Sequence, residues 1–227
     1  TDFDFLTFDV FQALPDNIPA LDHPYGLALD GESLWVSDQN NHRMVRYSIR
    51  GVPQDWFGEW GILEGNFDHP RGIFAYFGQL WVCDSLNHRI QSFENGTFKY
   101  SFGQWGENSE NFDTPTDFLI LPSQERVVSD SEKKRIALFN LQGRWIRDIV
   151  PKATTENSDS MVPLGKPKGL CQDQDNGLYI ADPDNHRVLV MTEDGNILGT
   201  ISVPNPQDIY CWGEWVFVSD QDAHRIL

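Results

Sequence analysis

The chain has 227 residues, 40% of them apolar and 13% aromatic, which is sufficient for a folded core and excludes a disordered chain. Its 34 acidic and 17 basic residues give a net charge of −17, a field that repels polyanions, so nucleic acid is not expected as a partner. The chain has neither an apolar run long enough for a membrane span nor a signal-peptide core, so no membrane insertion is expected. Because the chain begins with Thr1 rather than Met, a soluble periplasmic or secreted location stays open.

The first predicted element is an apolar-rich run of strand length at residues 3–12, which belongs to no repeat. Five similar segments follow, each made of short runs rich in β-branched, aromatic and aliphatic residues and bounded by Gly, Asp, Asn or Pro. That composition is typical of strands and turns, and no sustained 3.6-residue period predicts a helix. The segments span approximately residues 21–58, 67–103, 112–150, 164–201 and 203–227.

Each segment carries an Asp that ends an apolar run, and in three of them Asn-His-Arg follows, as at Asn41-His42-Arg43. The anchoring residues are Asp38, Asp84, Asp130, Asp182 and Asp220, which are 46, 46, 52 and 38 residues apart. A period in the forties indicates one four-stranded antiparallel blade per copy. The sequence therefore predicts an all-β fold, a single β-propeller domain over residues 1–227.

Three motifs make the chain resemble the NHL-repeat family of β-propellers. They are Asp-x-x-Asn-His-Arg, His-Pro-x-Gly at residues 23–26 and 69–72, and the Phe-Gly-x-Trp-Gly loops at residues 57–61 and 102–106. The resemblance covers essentially the whole chain. It implies the fold, whereas family members serve as RNA binders, protein scaffolds and sensors, with enzymes among related lyases, so it does not imply one function.

The number of blades follows from the strand count. The fifth copy ends after three predicted strands, and residues 3–12 would supply its missing outer strand and close the ring. Five blades is the simplest solution. Because most NHL propellers have six, the alternatives are a fragment of a six-bladed ring or an open assembly completed by a partner.

The three cysteines fall in different copies. Residues in separate blades rarely come within disulfide distance, so Cys83, Cys171 and Cys211 are predicted to be free and mostly buried thiols. Cys83 precedes an anchoring Asp, where the other copies have Ser or Ala. The sequon that begins at Asn95 is interpreted as a tight turn rather than as a glycosylation site.

Chain connectivity places the entry to each first strand and the loop between the second and third strands on one face. The longest connections, residues 58–68, 103–113 and 151–166, also lie there, and long loops on a rigid scaffold commonly carry binding sites. We call this the long-loop face. Trp60 and Trp105 lie there among acidic residues, either exposed to a basic peptide or folded onto the rim. The turn at residues 131–135 departs most from the repeat and is a further candidate contact, although chance drift would also explain it.

Residues that vary within the constant frame are candidates for ligand contact. In each copy, the residue after the entry Pro should lie at the mouth of the central channel, so that the five residues form a ring. These residues are Tyr25, Arg71, Thr116, Lys168 and Gln207. Arg71 and Lys168 would either hold an anionic group or neutralise the surrounding acidic loops. The recurring anchor Asp and Arg residues, and the motif histidines, are interpreted as structural, because a binding site seldom occurs five times.

Asp117 and Asp208 replace the Gly of the entry motif and are the candidates for a metal site. Two carboxylates could bind a hard cation such as Ca²⁺, or they could cap the start of the strand; no other cofactor is expected. The sequence contains no nucleophile motif and no His arrangement suited to catalytic zinc, so no catalytic residue is predicted.

These observations favour a non-enzymatic propeller that binds a protein or peptide, in particular a basic one, on the long-loop face. The alternative is a metal-dependent hydrolase or lyase with a carboxylate-lined channel. The sequence leaves the partner's identity, the compartment and the oligomeric state open.

Overall fold

A computed structural model describes residues 20–153 and 161–227. These residues form five antiparallel sheets, four of them four-stranded and the last three-stranded, in a propeller arrangement. The prediction of an all-β, five-bladed propeller is confirmed. The closing strand predicted at residues 3–12 lies outside the described residues.

Within each blade the strands follow chain order from the inside outward. Blade 1 consists of β1 (Pro24–Asp30), β2 (Ser33–Asp38), β3 (Arg43–Ser48) and β4 (Pro53–Phe57). Blade 2 consists of β5 (Pro70–Tyr76), β6 (Gln79–Asp84), β7 (Arg89–Glu94) and β8 (Thr97–Phe102). Blade 3 consists of β9 (Pro115–Ile120), β10 (Arg126–Asp130), β11 (Arg135–Phe139) and β12 (Trp145–Asp148). Blade 4 consists of β13 (Leu170–Gln172), β14 (Leu178–Asp182), β15 (Arg187–Met191) and β16 (Ile197–Ser202). Blade 5 consists of β17 (Pro206–Trp212), β18 (Trp215–Asp220) and β19 (Arg225–Ile226).

The turns follow local sequence. Asn95 and Gly96 join β7 to β8 with φ values of 51° and 74°, the left-handed backbone of a tight hairpin turn, so the turn interpretation is confirmed. Three anchor Asp residues are followed by single-turn 3-10 helices at Gln39–Asn41, Ser85–Asn87 and Pro183–Asn185, the only helices among the described residues. Each of these ends at the motif His, which adopts a left-handed conformation.

The hydrophobic core lies between blades, because each sheet buries one face against the next blade and the other against the previous one. We call these the forward and backward faces. Between blades 1 and 2, the forward face of blade 1 (Ala28, Trp35, Met44) packs on the backward face of blade 2 (Ile73, Leu80). The same packing recurs down to the interface between blades 4 and 5.

Each of the two end blades leaves apolar residues exposed on one face, although Val36, Val45 and Tyr47 on the backward face of blade 1 are buried. On the backward face of blade 1, Leu27 is 61% exposed, whereas the residue at the same repeat position is buried in every other blade. Those buried equivalents are Ile73, Phe118, Leu170 and Ile209. On the forward face of blade 5, Tyr210, Phe217 and Ile226 are likewise exposed.

Successive inner strands pack side by side from β1 to β17, but β17 makes no comparable contact with β1. Hydrogen bonds show the same break. Ser37 Oγ donates to the carbonyl of Arg71 in the next blade (2.6 Å) and Ser129 Oγ to that of Lys168 (2.6 Å), whereas Ser219 Oγ donates within its own blade, to Asp208 O. The described residues thus form an arc with an open sector between blades 5 and 1.

The prediction of three free thiols is wrong for two of them. Cys171 and Cys211 form a disulfide, with their Cα atoms 5.7 Å apart, and Cys83 is free and buried. Cys171 lies on the forward face of inner strand β13 and Cys211 on the backward face of β17. Inner strands of successive blades converge near the channel, which brings residues of different blades within disulfide distance.

Candidate functional site

The recurring Asp and Arg residues form a buried structural clamp. Asp38 is fully buried; its carboxylate accepts the Nε–H of Arg43 (2.7 Å), the Nδ2–H of Asn41 (2.9 Å) and the backbone N–H of Asp22 (2.7 Å). Equivalent Asp–Arg pairs occur in the other four blades. The carboxylate therefore accepts its backbone hydrogen bond from the entry loop of the same blade. Burial raises the pKa of Asp84 although these hydrogen bonds lower it, which is consistent with an architectural role.

Three motif histidines, His42, His88 and His186, form hydrogen bonds to the next blade, which agrees with the structural interpretation. His42 Nδ1 accepts the backbone N–H of His69 in the next blade (3.1 Å), and His186 Nδ1 bonds to the carbonyl of Pro204 (2.6 Å). His42, Asp68 and His69 are the one group of three potential metal ligands found among the described residues. Their ligating atoms already bond to one another or to the backbone, with His69 Nδ1 2.7 Å from Asp68 Oδ1. This supports a structural role for the group.

Four of the five residues predicted at the channel mouth are brought together in pairs. The guanidinium of Arg71 lies 5.9 Å from the ring centre of Tyr25, and Lys168 Nζ donates to Gln207 Oε1. Thr116 instead is fully buried, and its hydroxyl bonds to the carbonyl of Thr114 and to another hydroxyl. Tyr25, Arg71, Lys168 and Gln207 are called the channel-mouth cluster below.

Asp117 and Asp208 lie deeper, next to the glycines that hold the same position in neighbouring blades. Asp117 accepts backbone N–H groups of Phe118 (2.9 Å) and Leu170 (2.7 Å), and Asp208 accepts that of Ile209 (2.9 Å). Burial raises the pKa of both carboxyls. These hydrogen bonds match the capping alternative.

On the long-loop face, both loop tryptophans are exposed. The loops are held by Phe67 and Phe112, which are fully buried and whose backbone N–H groups donate to Glu59 and Gln104 (2.9 Å each). Trp60 and Trp105 remain 68% and 65% exposed. The alternative that they fold down onto the rim is therefore not what the structure shows.

Trp105 borders a surface groove of about 840 Å³ between blades 3 and 4. Its walls include the atypical turn at residues 131–135 and apolar residues after the gap in the described chain. The lining includes Glu107, Glu132, Lys133, Met161 and Leu164. Lys133 Nζ donates to the carbonyls of Asn108 and Asn111, which ties the turn to the Trp105 loop. The groove thus unites two features that the sequence presented separately.

Sequence reasoning missed Met161 and Leu164, because they follow a long connection that matches no part of the repeat. Their only sequence signal was the length of the loop at residues 151–166. Met161 is 73% exposed, so an apolar side chain stands free on this face.

The sheet order and the loop face define this protein as a β-propeller. Residues 164–191 match the family model of the NHL repeat, in agreement with the resemblance that the motifs indicated. No curated protein matches the chain in sequence. No helix in residues 20–153 and 161–227 has the length and apolar character needed to cross a membrane.

Solved structures share the fold at low identity. A nidogen/laminin complex chain is 18% identical, with a TM-score of 0.71 over 92% of this chain and 78% of that one. A virginiamycin B lyase from Staphylococcus aureus is 13% identical, with a TM-score of 0.59 over 89% and 79%. Kuenenia stuttgartiensis hydrazine synthase is 14% identical, with a TM-score of 0.59 over 90% and 82%. At these identities the likeness concerns the fold alone.

Proposed function

We propose that this protein is a non-catalytic binding propeller that docks a protein or peptide segment on its long-loop face. The observation that carries the proposal is the exposure of Trp60 and Trp105 on loops anchored by buried Phe residues. Exposed, rigidly held Trp residues are typical of binding hot spots, because they bury a large area at low entropic cost.

The charge around the tryptophans suggests the chemistry of the partner. Glu107 is exposed beside Trp105, and the net charge of −17 favours approach of a cation. A Lys or Arg side chain could lie over the indole while it pairs with the carboxylate, and an apolar neighbour could contact Met161. A basic peptide with an adjacent apolar residue would meet Glu107, Trp105 and Met161 at one part of a groove that Lys133, Lys134 and Arg135 also line.

A similar fold in a nidogen/laminin complex agrees with a protein-binding role. The virginiamycin B lyase shows that the fold also occurs in an enzyme. For this chain the alternative of a metal-dependent hydrolase or lyase depends on Asp117 and Asp208, whose oxygens accept backbone hydrogen bonds. The binding role is therefore the better supported of the two.

The test is selection of phage-displayed peptides on the immobilised protein, followed by affinity measurement with a synthetic selected peptide. Selected peptides should be rich in Lys and Arg beside apolar residues. Trp105→Ala should weaken binding about 30-fold, since a Trp hot spot contributes about 2 kcal/mol. Trp212→Ala is the matched control, because Trp212 is 58% exposed at a turn on the opposite face.

Glu107→Lys should also weaken binding of the same peptide. The loss of affinity should be larger at low salt than at high salt, because the contact is electrostatic. The proposal fails if no peptide is selected, or if selected peptides lose no affinity with Trp60→Ala and Trp105→Ala. A loss of equal size with Trp212→Ala would also contradict it, since it would indicate general disruption.

A further inference from the structure

Among the described residues, no carboxylate pairs with Arg71 of the channel-mouth cluster. Within residues 20–153 and 161–227, the guanidinium of Arg71 makes no ion pair and no side-chain hydrogen bond, and its Nε is buried without a partner. Its one described contact is the face of the Tyr25 ring. Because a buried guanidinium donor is costly to leave unsatisfied, Arg71 is available to donate to an acceptor that a ligand brings.

Two further donors accompany Arg71. The hydroxyl of Tyr25 is also buried without a hydrogen-bond partner. Lys168 Nζ bonds to the neutral amide oxygen of Gln207 and to no carboxylate. Burial and then the charge of Arg71 lower the pKa of Lys168, against a smaller opposite effect of Asp184, so the two cations are close enough to repel each other.

The acidic groups near the cluster do not neutralise it by direct contact. Asp117 and Asp208 are near enough to influence Tyr25, but neither forms an ion pair with Arg71 or Lys168 among the described contacts. Their oxygens accept backbone N–H groups. Cys83, also nearby, is a buried thiol whose pKa burial raises, so it carries no charge at neutral pH.

We propose that Tyr25, Arg71 and Lys168 form a seat for one oxyanion, a carboxylate or a phosphate, carried by the docked partner. A guanidinium offers paired donors to an oxyanion, the phenol adds a neutral donor, and the ammonium adds a charge. The anion would satisfy the orphaned donors and relieve the repulsion between the cations. The inference rests on the proposed docking function and specifies which group of the partner enters the channel.

The seat would also let the protein discriminate between peptides. The protein as a whole repels anions, so an anion is attracted only where two cations converge. A partner would need a basic segment for the Trp105 groove and an acidic group for the channel mouth, and this spacing of opposite charges would discriminate between peptides.

The first experiment needs no partner. Inorganic phosphate and acetate are titrated into the protein, and binding is followed by two-dimensional NMR of Arg side-chain resonances at constant ionic strength. The signal of Arg71 Nε–H, assigned by its loss in Arg71→Gln, should shift saturably. Tyr25→Phe, which keeps the ring, should weaken the affinity about 5- to 10-fold, the usual effect of one hydrogen bond. Arg50→Gln, which removes a charge at an exposed turn, should leave it unchanged.

The second experiment uses selected peptides in matched forms, with a Glu, a Gln or a phosphoserine at each position and with a free or amidated C-terminus. One oxyanionic form should bind at least 10-fold tighter than its neutral form, and Arg71→Gln and Lys168→Met should each abolish that preference. The form preferred distinguishes carboxylate from phosphate.

The seat is refuted if neither anion shifts Arg71 and no oxyanionic peptide is preferred, or if Arg50→Gln acts like Arg71→Gln. Docking would survive that result, provided that Trp105→Ala still weakens peptide binding about 30-fold. Loss of the Trp105 effect would overturn the docking function separately.

Discussion

The open sector of the blade arc makes a quantitative prediction, because one residue type occupies the same repeat position at an open and at a covered face. Leu27 on blade 1 is 61% exposed, whereas Leu170 on blade 4 is 6% exposed within the core between blades 3 and 4. Leu→Ala in a close-packed core costs about 2–5 kcal/mol, from lost burial and the cavity left behind. We expect about 3 kcal/mol for Leu170→Ala and less than about 1 kcal/mol for Leu27→Ala.

Equilibrium urea unfolding, followed by far-ultraviolet circular dichroism, measures both costs under non-reducing conditions. The midpoint should fall markedly for Leu170→Ala and little for Leu27→Ala, with similar m-values. If the two substitutions cost the same, Leu27 is covered in solution and the sector between β17 and β1 is not open. A changed m-value in either variant would instead indicate an altered unfolded state.

Two further predictions concern the interior. When the protein is unfolded without reductant, one equivalent of thiol reagent should react, at Cys83. After reduction, three equivalents should react. Reaction of three equivalents before reduction would exclude the disulfide. Burial raises the pKa of the Asp208 carboxyl. The protonated carboxyl therefore stabilises the fold fully below the ordinary pKa of about 3.8, and this stabilisation is lost as the pH rises through the pKa of the folded state. Asp208→Asn should therefore gain stability over the parent between pH 4 and pH 8, as measured by urea unfolding; a pH-independent difference would contradict this.

The Cys171–Cys211 disulfide stabilises the attachment of the last blade. It links blade 4 to blade 5, the blade whose forward face is uncovered and which has three strands. A cross-link over 40 residues contributes about 4 kcal/mol by restricting the unfolded chain. An end blade with one packed neighbour is the place where such a constraint matters most.

The contacts of the channel mouth could be predicted only in outline. Repetition of the entry motif places Tyr25, Arg71, Lys168 and Gln207 at equivalent positions. Which of them pair, and that the hydroxyl of Thr116 bonds to the interior instead, depends on side-chain packing across blades. The exposure of Trp105 likewise follows from how Phe112 anchors its loop.

By itself, the sequence determined the features that depend on neighbours along the chain. The period of the anchor Asp, the alternation of apolar residues and turn residues such as Asn95-Gly96 set the strands, their order within a blade and the face that bears the long loops. These are local properties, because strand pairing within a blade joins segments a few residues apart. Tertiary structure alone decided the contacts between blades: the Cys171–Cys211 disulfide, the groove beside Trp105, the contact of Arg71 with the Tyr25 ring and the exposure of Leu27. Those contacts join residues far apart in the chain, and their geometry is set by how the sheets converge on the channel.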